Sequence, residues 1–142
     1  MARTRFVCGN WKMHRTQAEA RELLRALAPL VADLAGRVQL AVAPPFTALA
    51  AARDALAGTA IELAAQDVHW EAQGAFTGEV SAPMLAEAGV RHGIVGHSER
   101  RQLFGETDEA VRRKLGALLA AGIRPILCVG ETLAEREGGK TL

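Results

Sequence analysis

Short apolar runs recur along the chain, separated by longer segments in which apolar residues follow helical spacing. The runs are FVC near residue 7, QLAVA at 39–43, IELAA at 61–65, GIVG at 93–96 and PILCV at 125–129. Most are apolar at successive positions instead of alternating, which is typical of parallel strands covered on both faces. The pattern therefore predicts a parallel sheet built from these five strands.

The segment after the first run carries the signals of a helix start. Thr16 and Glu19 form a T-x-x-E capping box, in which each residue satisfies a backbone N–H of the other. Apolar residues then fall on one predicted face: Leu23, Leu27, Leu30 or Val31, and Leu34. Pro29 conflicts with a continuous helix, so we expect an end or a kink just before it.

Caps and periodicity predict further helices. They run from Thr47 to about Ala57, from the cap at Ser81 to Gly89, and from Thr107 or Asp108 to Gly122, and another is predicted after Glu131. Strands alternating with helices indicate right-handed βαβ units.

Two architectures contain such units, an open doubly wound sheet and a (β/α)₈ barrel. The loop after the first strand reads GNWKM and lacks the G-x-G-x-x-G of dinucleotide-binding sheets, which favours the barrel. A complete barrel needs eight strands and about 250 residues. We therefore predict a single incomplete barrel domain over residues 1–142, without the C-terminal βα units.

Composition and charge narrow the class of protein. The chain has 142 residues, 49% of them hydrophobic, and a formal net charge of +1, so that no basic or acidic surface points to nucleic acid or membrane. No apolar segment follows the N-terminal arginines, which argues against a signal peptide, and we expect a soluble cytoplasmic protein.

Cys8 and Cys128 lie in apolar runs and are interpreted as small buried hydrophobes, with a disulfide as the less favoured alternative.

Polar residues cluster where the predicted strands end. They are Asn10 and Lys12 after the first strand, Gln66 and Asp67 after the third, His97, Ser98 and Glu99 after the fourth, and Glu131 after the fifth. The carboxyl ends of parallel strands meet at one edge. We therefore expect these side chains to converge on one rim.

The local sequence suggests roles for some of them. A rim would point Lys12 inward, although a solvated charge is the alternative. Ser98 is a suitable N-cap for a helix beginning S-E-R-R, which places His97 at the positive end of a helix and predicts a neutral imidazole that donates a hydrogen bond. A core histidine is the alternative. Glu99 is equally suited to an ion pair and to proton transfer, and Glu131 is interpreted as a cap or an ion-pair partner.

The stretch QDVHWEAQGAFTGE, residues 66–79, is a long predicted loop with Trp70 and Phe76 among glycines. It either folds over its own sheet or docks onto a second subunit.

His14, His69 and His92 have no metal-ligand spacing with the cysteines, so we predict no metal site.

Five long motifs occur along the chain. They are GNWKM at 9–13, QDVHWEAQGAFTGE at 66–79, VGHSERR at 95–101, FGETDE at 104–109 and PILCVGETLAEREGGKT at 125–141. Together they resemble triosephosphate isomerase. The resemblance implies a (β/α)₈ TIM barrel, usually a homodimer, that interconverts dihydroxyacetone phosphate and glyceraldehyde 3-phosphate in glycolysis and gluconeogenesis. It also implies that no cofactor is needed.

The resemblance assigns roles residue by residue. His97 matches the electrophile that polarises the substrate carbonyl as a neutral imidazole, for which this enzyme is a known example. Lys12 matches the lysine that attracts the phosphate and stabilises the enediolate, with Asn10 beside it in the substrate pocket. Glu99 matches the acidic residue near the histidine. Thr77, preceded by Phe76, matches the threonine at the dimer interface.

The matched motifs end in the helix after the fifth strand. The family's general-base glutamate follows strand six, its lid comes next, and its glycine-rich phosphate loops follow the last two strands. We therefore expect a truncated chain of this kind to turn over poorly alone. A non-catalytic half-barrel fragment or assembly module is the alternative, and another phosphate-handling barrel enzyme is a weaker one.

Overall fold

The sheet is fully parallel, and its strands are hydrogen-bonded in the order in which they occur along the chain. The structure is a computed structural model that describes residues 3–140. The strands are β1 (Arg5–Asn10), β2 (Val38–Ala43), β3 (Ile61–Ala65), β4 (Val90–Val95) and β5 (Arg124–Leu127). A doubly wound sheet reverses its strand order at a switch point. The uninterrupted order β1-β2-β3-β4-β5 is instead that of a barrel.

All five predicted strands are confirmed, and the largest shifts are at the start of β4 and the end of β5. β4 begins at Val90, ahead of the GIVG run, because Val90 pairs with Leu63 and the polar His92 pairs with Ala64, while Arg91 is the extra residue at a register shift between them. β5 ends at Leu127, before the end of the PILCV run.

Helices follow the strands. They are α1 (Gln17–Leu30), α2 (Leu49–Ala55), α3 (Ala82–Glu87), α4 (Ser98–Leu103), α5 (Asp108–Ala120) and α6 (Leu133–Glu137). Single 3₁₀ turns over Ala32–Leu34 and Phe46–Ala48 precede β2 and α2. The helix predicted from Thr47 is thus a 3₁₀ turn that continues as a short α-helix.

The first helix corrects two expectations. Its capping box is present, but the helix continues through Pro29 and ends at Leu30, because a proline in the last turn removes only one backbone hydrogen bond. The buried face is centred on Leu24 and Ala20, whereas Leu23 is only half-buried and Leu30 is exposed. The predicted face was therefore displaced by about one residue.

The two faces of the sheet have separate apolar clusters. The larger cluster combines strand residues with helix residues such as Leu24, Leu85 and Leu118. The smaller one contains strand residues alone, and at its centre are Ala41, Ala64 and Ile94. Because side chains alternate between faces along a strand, the helices cover the outer face and the smaller cluster lies on the inner, concave face.

The approach of α5 to the sheet depends on a glycine. A β-carbon on Gly93 would lie 2.7 Å from a methyl carbon of Leu118, closer than real contacts allow. Gly93 therefore lets α5 pack directly on β4, which fixes the position of the loop between them.

A polar layer closes the amino-terminal end of the inner face. Glu62 Oε2 lies 2.6 Å from His92 Nε2 and accepts a 2.7 Å hydrogen bond from Gln39 Nε2. Arg124 Nη1 donates to Gln39 Oε1 at 3.3 Å. The layer thus joins side chains from β2, β3, β4 and β5.

The cysteines line the same inner face as free thiols, each half-buried beside the smaller apolar cluster. Burial raises the pKa of Cys8 to about 11. Burial also raises the pKa of Cys128. The less favoured alternative, a disulfide between the two cysteines, is not formed.

Within residues 3–140, no helix combines the length and the apolar character needed to cross a bilayer.

Candidate active site

Lys12 leaves β1 in an unusual backbone conformation. Its φ is 54°, in the left-handed region, where the backbone of a residue other than glycine is strained. Its N–H donates to Asn10 Oδ1 at 3.0 Å, and its carbonyl accepts from Gln66 Nε2 at 2.8 Å. Gln66 Nε2 also donates to the Ala43 carbonyl at 2.8 Å. The ends of β1, β2 and β3 are thereby joined beneath the lysine.

His97 is the N-cap of α4. Its Nδ1 accepts a 3.1 Å hydrogen bond from the Glu99 N–H. The prediction that Ser98 is the cap was therefore wrong, because the imidazole nitrogen reaches the N–H two residues ahead as a cap oxygen would. An accepting Nδ1 places the ring proton of a neutral His97 on Nε2, and Nε2–H is then a donor.

Lys12 and Glu99 form the ion pair that one sequence-based alternative predicted. Lys12 Nζ lies 2.5 Å from Glu99 Oε1, with the two side chains 50% and 44% exposed. The hydrogen bond from Lys12 is the main cause that lowers the pKa of Glu99, and the charge of Lys12 adds to it. Glu99 is thus a carboxylate at neutral pH. An exposed pair of this kind is weak, so an anionic ligand can compete for Lys12.

These side chains line one open cavity of about 320 Å³. Its lining residues are Asn10, Lys12, Met13, Phe46, Gln66, Asp67, Gly78, Glu79, His97, Glu99, Arg100 and Phe104. The predicted convergence is confirmed for Asn10, Lys12, Gln66, Asp67, His97 and Glu99, whereas Ser98 and Glu131 are not among the lining residues. Glu131 lies elsewhere, and its Oε1 accepts from Arg136 Nε at 2.7 Å, as expected for an ion-pair partner.

A second, larger cavity of about 420 Å³ lies at the other end of the strands. Its lining combines the end of α1 with the first residues of β2 and β3: Ala28, Pro29, Val31, Ala32, Ala35, Val38, Leu40, Gly58, Thr59, Ala60 and Ile61. None of the described residues that line it has an ionisable side chain. The candidate chemistry therefore belongs to the smaller cavity.

The smaller cavity combines the Lys12 ammonium with the imidazole of His97, whose Nε2–H is the donor when the ring is neutral. A donor such as His97 Nε2–H can stabilise negative charge that develops on a carbonyl oxygen, and the Lys12 ammonium can bind an anion. Among the described residues, the carboxylates of the lining are those of Asp67, Glu79 and Glu99. Asp67 and Glu99 are already engaged by cations. The arrangement suits a carbonyl compound that carries an anionic group.

A buried group of charged side chains lies behind the cavity and was not predicted from the sequence. Lys114 is 6% exposed in α5 and contacts both Asp67, at 2.6 Å, and Glu106. Arg100 Nε lies 2.9 Å from Asp67 Oδ2. Burial is the main cause that raises the pKa of Asp67, although Lys114 and Arg100 oppose it. The available signal was Lys114 itself, a lysine on the apolar face that carries Val111 and Leu118.

The loop over residues 66–79 folds back on itself through aromatic contacts. His69 is buried, and its ring centroid lies 4.4 Å from that of Trp70 and 4.3 Å from that of Phe76. Phe76 is nevertheless 42% exposed, and Thr77 is exposed. The interface role of Phe76 and Thr77 stays a prediction.

Comparisons with known proteins agree with this geometry. The family model described as triosephosphate isomerase matches residues 5–142. The chain is 56% identical to a triosephosphate isomerase from Synechococcus sp. (strain JA-3-3Ab) over 140 residues, which cover 96% of this chain and 55% of that protein. It is 56% identical to one from Moorella thermoacetica, over 96% of this chain and 54% of that protein.

A solved structure agrees as well. The crystal structure of triosephosphate isomerase from Bartonella henselae superposes with a TM-score of 0.89 at 43% identity, over 96% of this chain and 56% of that chain. The predicted barrel-type fold is thereby confirmed for the described strands. The chain spans about half the length of these relatives. It belongs to the triosephosphate isomerase family.

Proposed function

We propose that the protein to which this chain belongs interconverts dihydroxyacetone phosphate and glyceraldehyde 3-phosphate, in glycolysis and gluconeogenesis. The observation that supports this most directly is the shared cavity of His97 and Lys12. It offers a neutral N–H donor for the substrate carbonyl and an ammonium for its phosphate. Asn10 supports the site, because its Oδ1 accepts the Lys12 N–H.

The reaction moves one proton between neighbouring carbons. A carboxylate base takes the proton α to the carbonyl, and the electron pair forms an enediolate whose oxygen carries the negative charge. His97 Nε2–H and Lys12 stabilise that oxygen. The hydroxyl proton of the enediolate also moves from one oxygen to the other, and return of the abstracted proton to the neighbouring carbon then gives the isomer, so that no electrons are exchanged with a cofactor. Glu99 forms an ion pair with Lys12, and the substrate phosphate replaces Glu99 as the partner of Lys12 when the substrate binds.

The base in this proposal is the glutamate that follows strand six in the family. We therefore expect the 142-residue chain to be poorly active by itself. The test is an isomerisation assay on the purified chain and on the chain joined to the C-terminal half of the Moorella thermoacetica relative. Turnover by the short chain at the rate of the joined protein would contradict the proposed division of roles.

Two substitutions in the joined protein separate the roles. His97→Gln should lower kcat by a factor of about 10² to 10³ and leave phosphate inhibition nearly unchanged. Lys12→Met should weaken phosphate inhibition strongly, whereas Lys140→Met, which removes an exposed lysine away from the cavity, should not. An unchanged kcat in His97→Gln would remove the histidine from the mechanism.

The cellular location and the oligomeric state of the complete protein are part of the same proposal. We expect the complete protein to be a cytoplasmic homodimer, with the loop that carries Phe76 and Thr77 at the interface. The exposure of both side chains supports this. Sedimentation of the joined protein with and without Thr77→Arg tests it, and an unchanged dimer would refute the assignment of this loop.

A second candidate is a non-catalytic assembly module. It is favoured by exposed apolar residues on the first strand, at the end of the last strand and after it, namely Phe6 at 37%, Val7 at 58%, Leu127 at 45% and Val129 at 83% exposure. An inactive joined protein whose short chain forms a defined oligomer would favour this candidate.

A further inference from the structure

The peptide units that connect β4 to His97 are held at both polar groups of Gly96. The Gly96 N–H donates to Glu106 Oε2 at 3.2 Å, and the Gly96 carbonyl accepts from Arg101 Nε at 2.8 Å. Gly96 has a φ of 70°, and a β-carbon there would lie 2.9 Å from Arg101 Nη2. The direction in which the chain leaves β4 and enters α4 is therefore set by these two side chains.

Glu106 is itself oriented by buried charges. Its side chain is 3% exposed, and its Oε1 accepts a hydrogen bond from Lys114 Nζ. Arg100 Nε lies 3.6 Å from the same oxygen. With both cations on Oε1, the remaining oxygen Oε2 is directed at the Gly96 N–H.

The buried group is balanced in charge. Asp67 bonds to Lys114 Nζ at 2.6 Å and lies 2.9 Å from Arg100 Nε, so that two carboxylates face two cations. Buried charges persist when they are paired in this way. Of these two carboxylates, Glu106 is the one that accepts a hydrogen bond from the backbone next to His97.

We propose that Glu106 is a positioning residue for His97. Through the Gly96 N–H it fixes the backbone from which the imidazole projects, so that Nδ1 meets the Glu99 N–H and Nε2–H faces the cavity. This gives the FGETDE motif a role in the site. The inference rests on the proposed function in one respect, namely that His97 donates to the substrate carbonyl. The effect of Glu106 on the position of the His97 ring does not depend on that function.

The substitution Glu106→Gln tests the hydrogen bond with little change of shape. The amide oxygen of Gln would turn to Lys114, because an NH₂ group facing two cations is unfavourable. The NH₂ group would then face the Gly96 N–H, donor against donor, and this hydrogen bond would be lost. Asp67→Asn is the matched control, since it removes a carboxylate from the same buried group and leaves the Gly96 contact intact.

The readout is NMR of the labelled 142-residue chain. In Glu106→Gln we expect amide hydrogen exchange at Gly96 to rise about tenfold or more, as for the loss of one hydrogen bond. We also expect the ring ¹⁵N shifts of His97 to move away from a pure Nε2–H tautomer. Asp67→Asn should leave both signals near those of the unmodified chain. Equal changes in the two variants, or no change in Glu106→Gln, would overturn the proposal.

A measurement on the unmodified chain tests the proposal even if the Glu106→Gln variant fails to fold. A through-hydrogen-bond coupling between Gly96 ¹⁵N and the Glu106 carboxylate carbon is expected, and its absence would overturn the proposal. The kinetic counterpart uses the joined protein, in which Glu106→Gln should lower kcat and leave phosphate inhibition unchanged. If the joined protein without substitutions is inactive, the proposed function fails, whereas the NMR result still decides the positioning role.

Discussion

Lys12 and Gly96 show how single backbone conformations aim the candidate site. Lys12 has a left-handed backbone although it has a side chain, and Asn10 and Gln66 hold it there. Gly96 reaches a similar region at less cost, because it has no β-carbon. Both residues lie where a strand ends, so each decides where the next side chains point.

The cost of a side chain at Gly96 can be measured. Gly96→Ala and Gly58→Ala both place a β-carbon at positive φ, 70° and 78°, but only the first meets a neighbour. We expect Gly58→Ala to lower the free energy of unfolding by about 1 kcal/mol. Gly96→Ala should lower it by about 1–3 kcal/mol more, because Arg101 and Val111 must shift. Urea unfolding followed by circular dichroism gives both values, and equal losses would contradict the clash.

Cys8 offers a second prediction at this scale. With its pKa raised to about 11 by burial, the folded chain keeps it as a protonated thiol at neutral pH, and the thiol is a poor nucleophile. We expect iodoacetamide at about pH 7.5 to alkylate it at least tenfold more slowly in the folded chain than in urea. Mass spectrometry of the labelled peptide measures both rates. Equal rates would show that the inner face is open at Cys8.

At the scale of elements, one carboxylate links three strands. Glu62 on β3 accepts from Gln39 on β2 and contacts His92 on β4. Burial acts to raise the pKa of Glu62, but the hydrogen bonds from His92 and Gln39 outweigh it and hold the pKa below its usual value. The sheet is therefore stabilised when Glu62 is ionised.

This gives a pH dependence with a definite sign. A lowered folded-state pKa contributes stability that is present above the unfolded pKa and is lost as the pH falls through the folded value. The difference in urea midpoint between the unmodified chain and Glu62→Gln should thus be largest near pH 6 and shrink below about pH 4. The exposed Glu22→Gln is the control. A difference independent of pH would mean that Glu62 acts through its shape and not through its charge.

The elements themselves were largely predictable, for a physical reason. Strands covered on both faces are apolar at successive positions, and caps such as Thr16 with Glu19 mark helix starts locally. The Glu106–Lys114 pair was not predictable in this way, because it depends on how α5 packs against the loop before it. The cap formed by His97 was missed since imidazole is an uncommon cap. The convergence of His97 and Lys12 was predictable because parallel strands bring their carboxyl ends together.

At the scale of the whole molecule, β1 and β5 each have a free edge within the described part of the chain. Val7 on β1 and Leu127 on β5 are 58% and 45% exposed. Open edges with apolar side chains favour association. We expect the average mass of the 142-residue chain in light scattering to rise with concentration.

Charged substitutions locate that association. Val7→Lys combined with Leu127→Lys should reduce the increase in mass, because lysine on an edge strand opposes pairing. Leu30→Lys, at an exposed apolar residue of α1, should have little effect. The same association in all three proteins would place the contact away from the strand edges.

The order β1-β2-β3-β4-β5 has a consequence for synthesis in the cell. Every pairing in the sheet joins a strand to the one made just before it, so no pairing waits for a distant part of the chain. We expect each new βα unit to add to an existing edge while the ribosome still extends the polypeptide. Lys12 and His97 would then lie in one cavity as soon as the first four strands have paired.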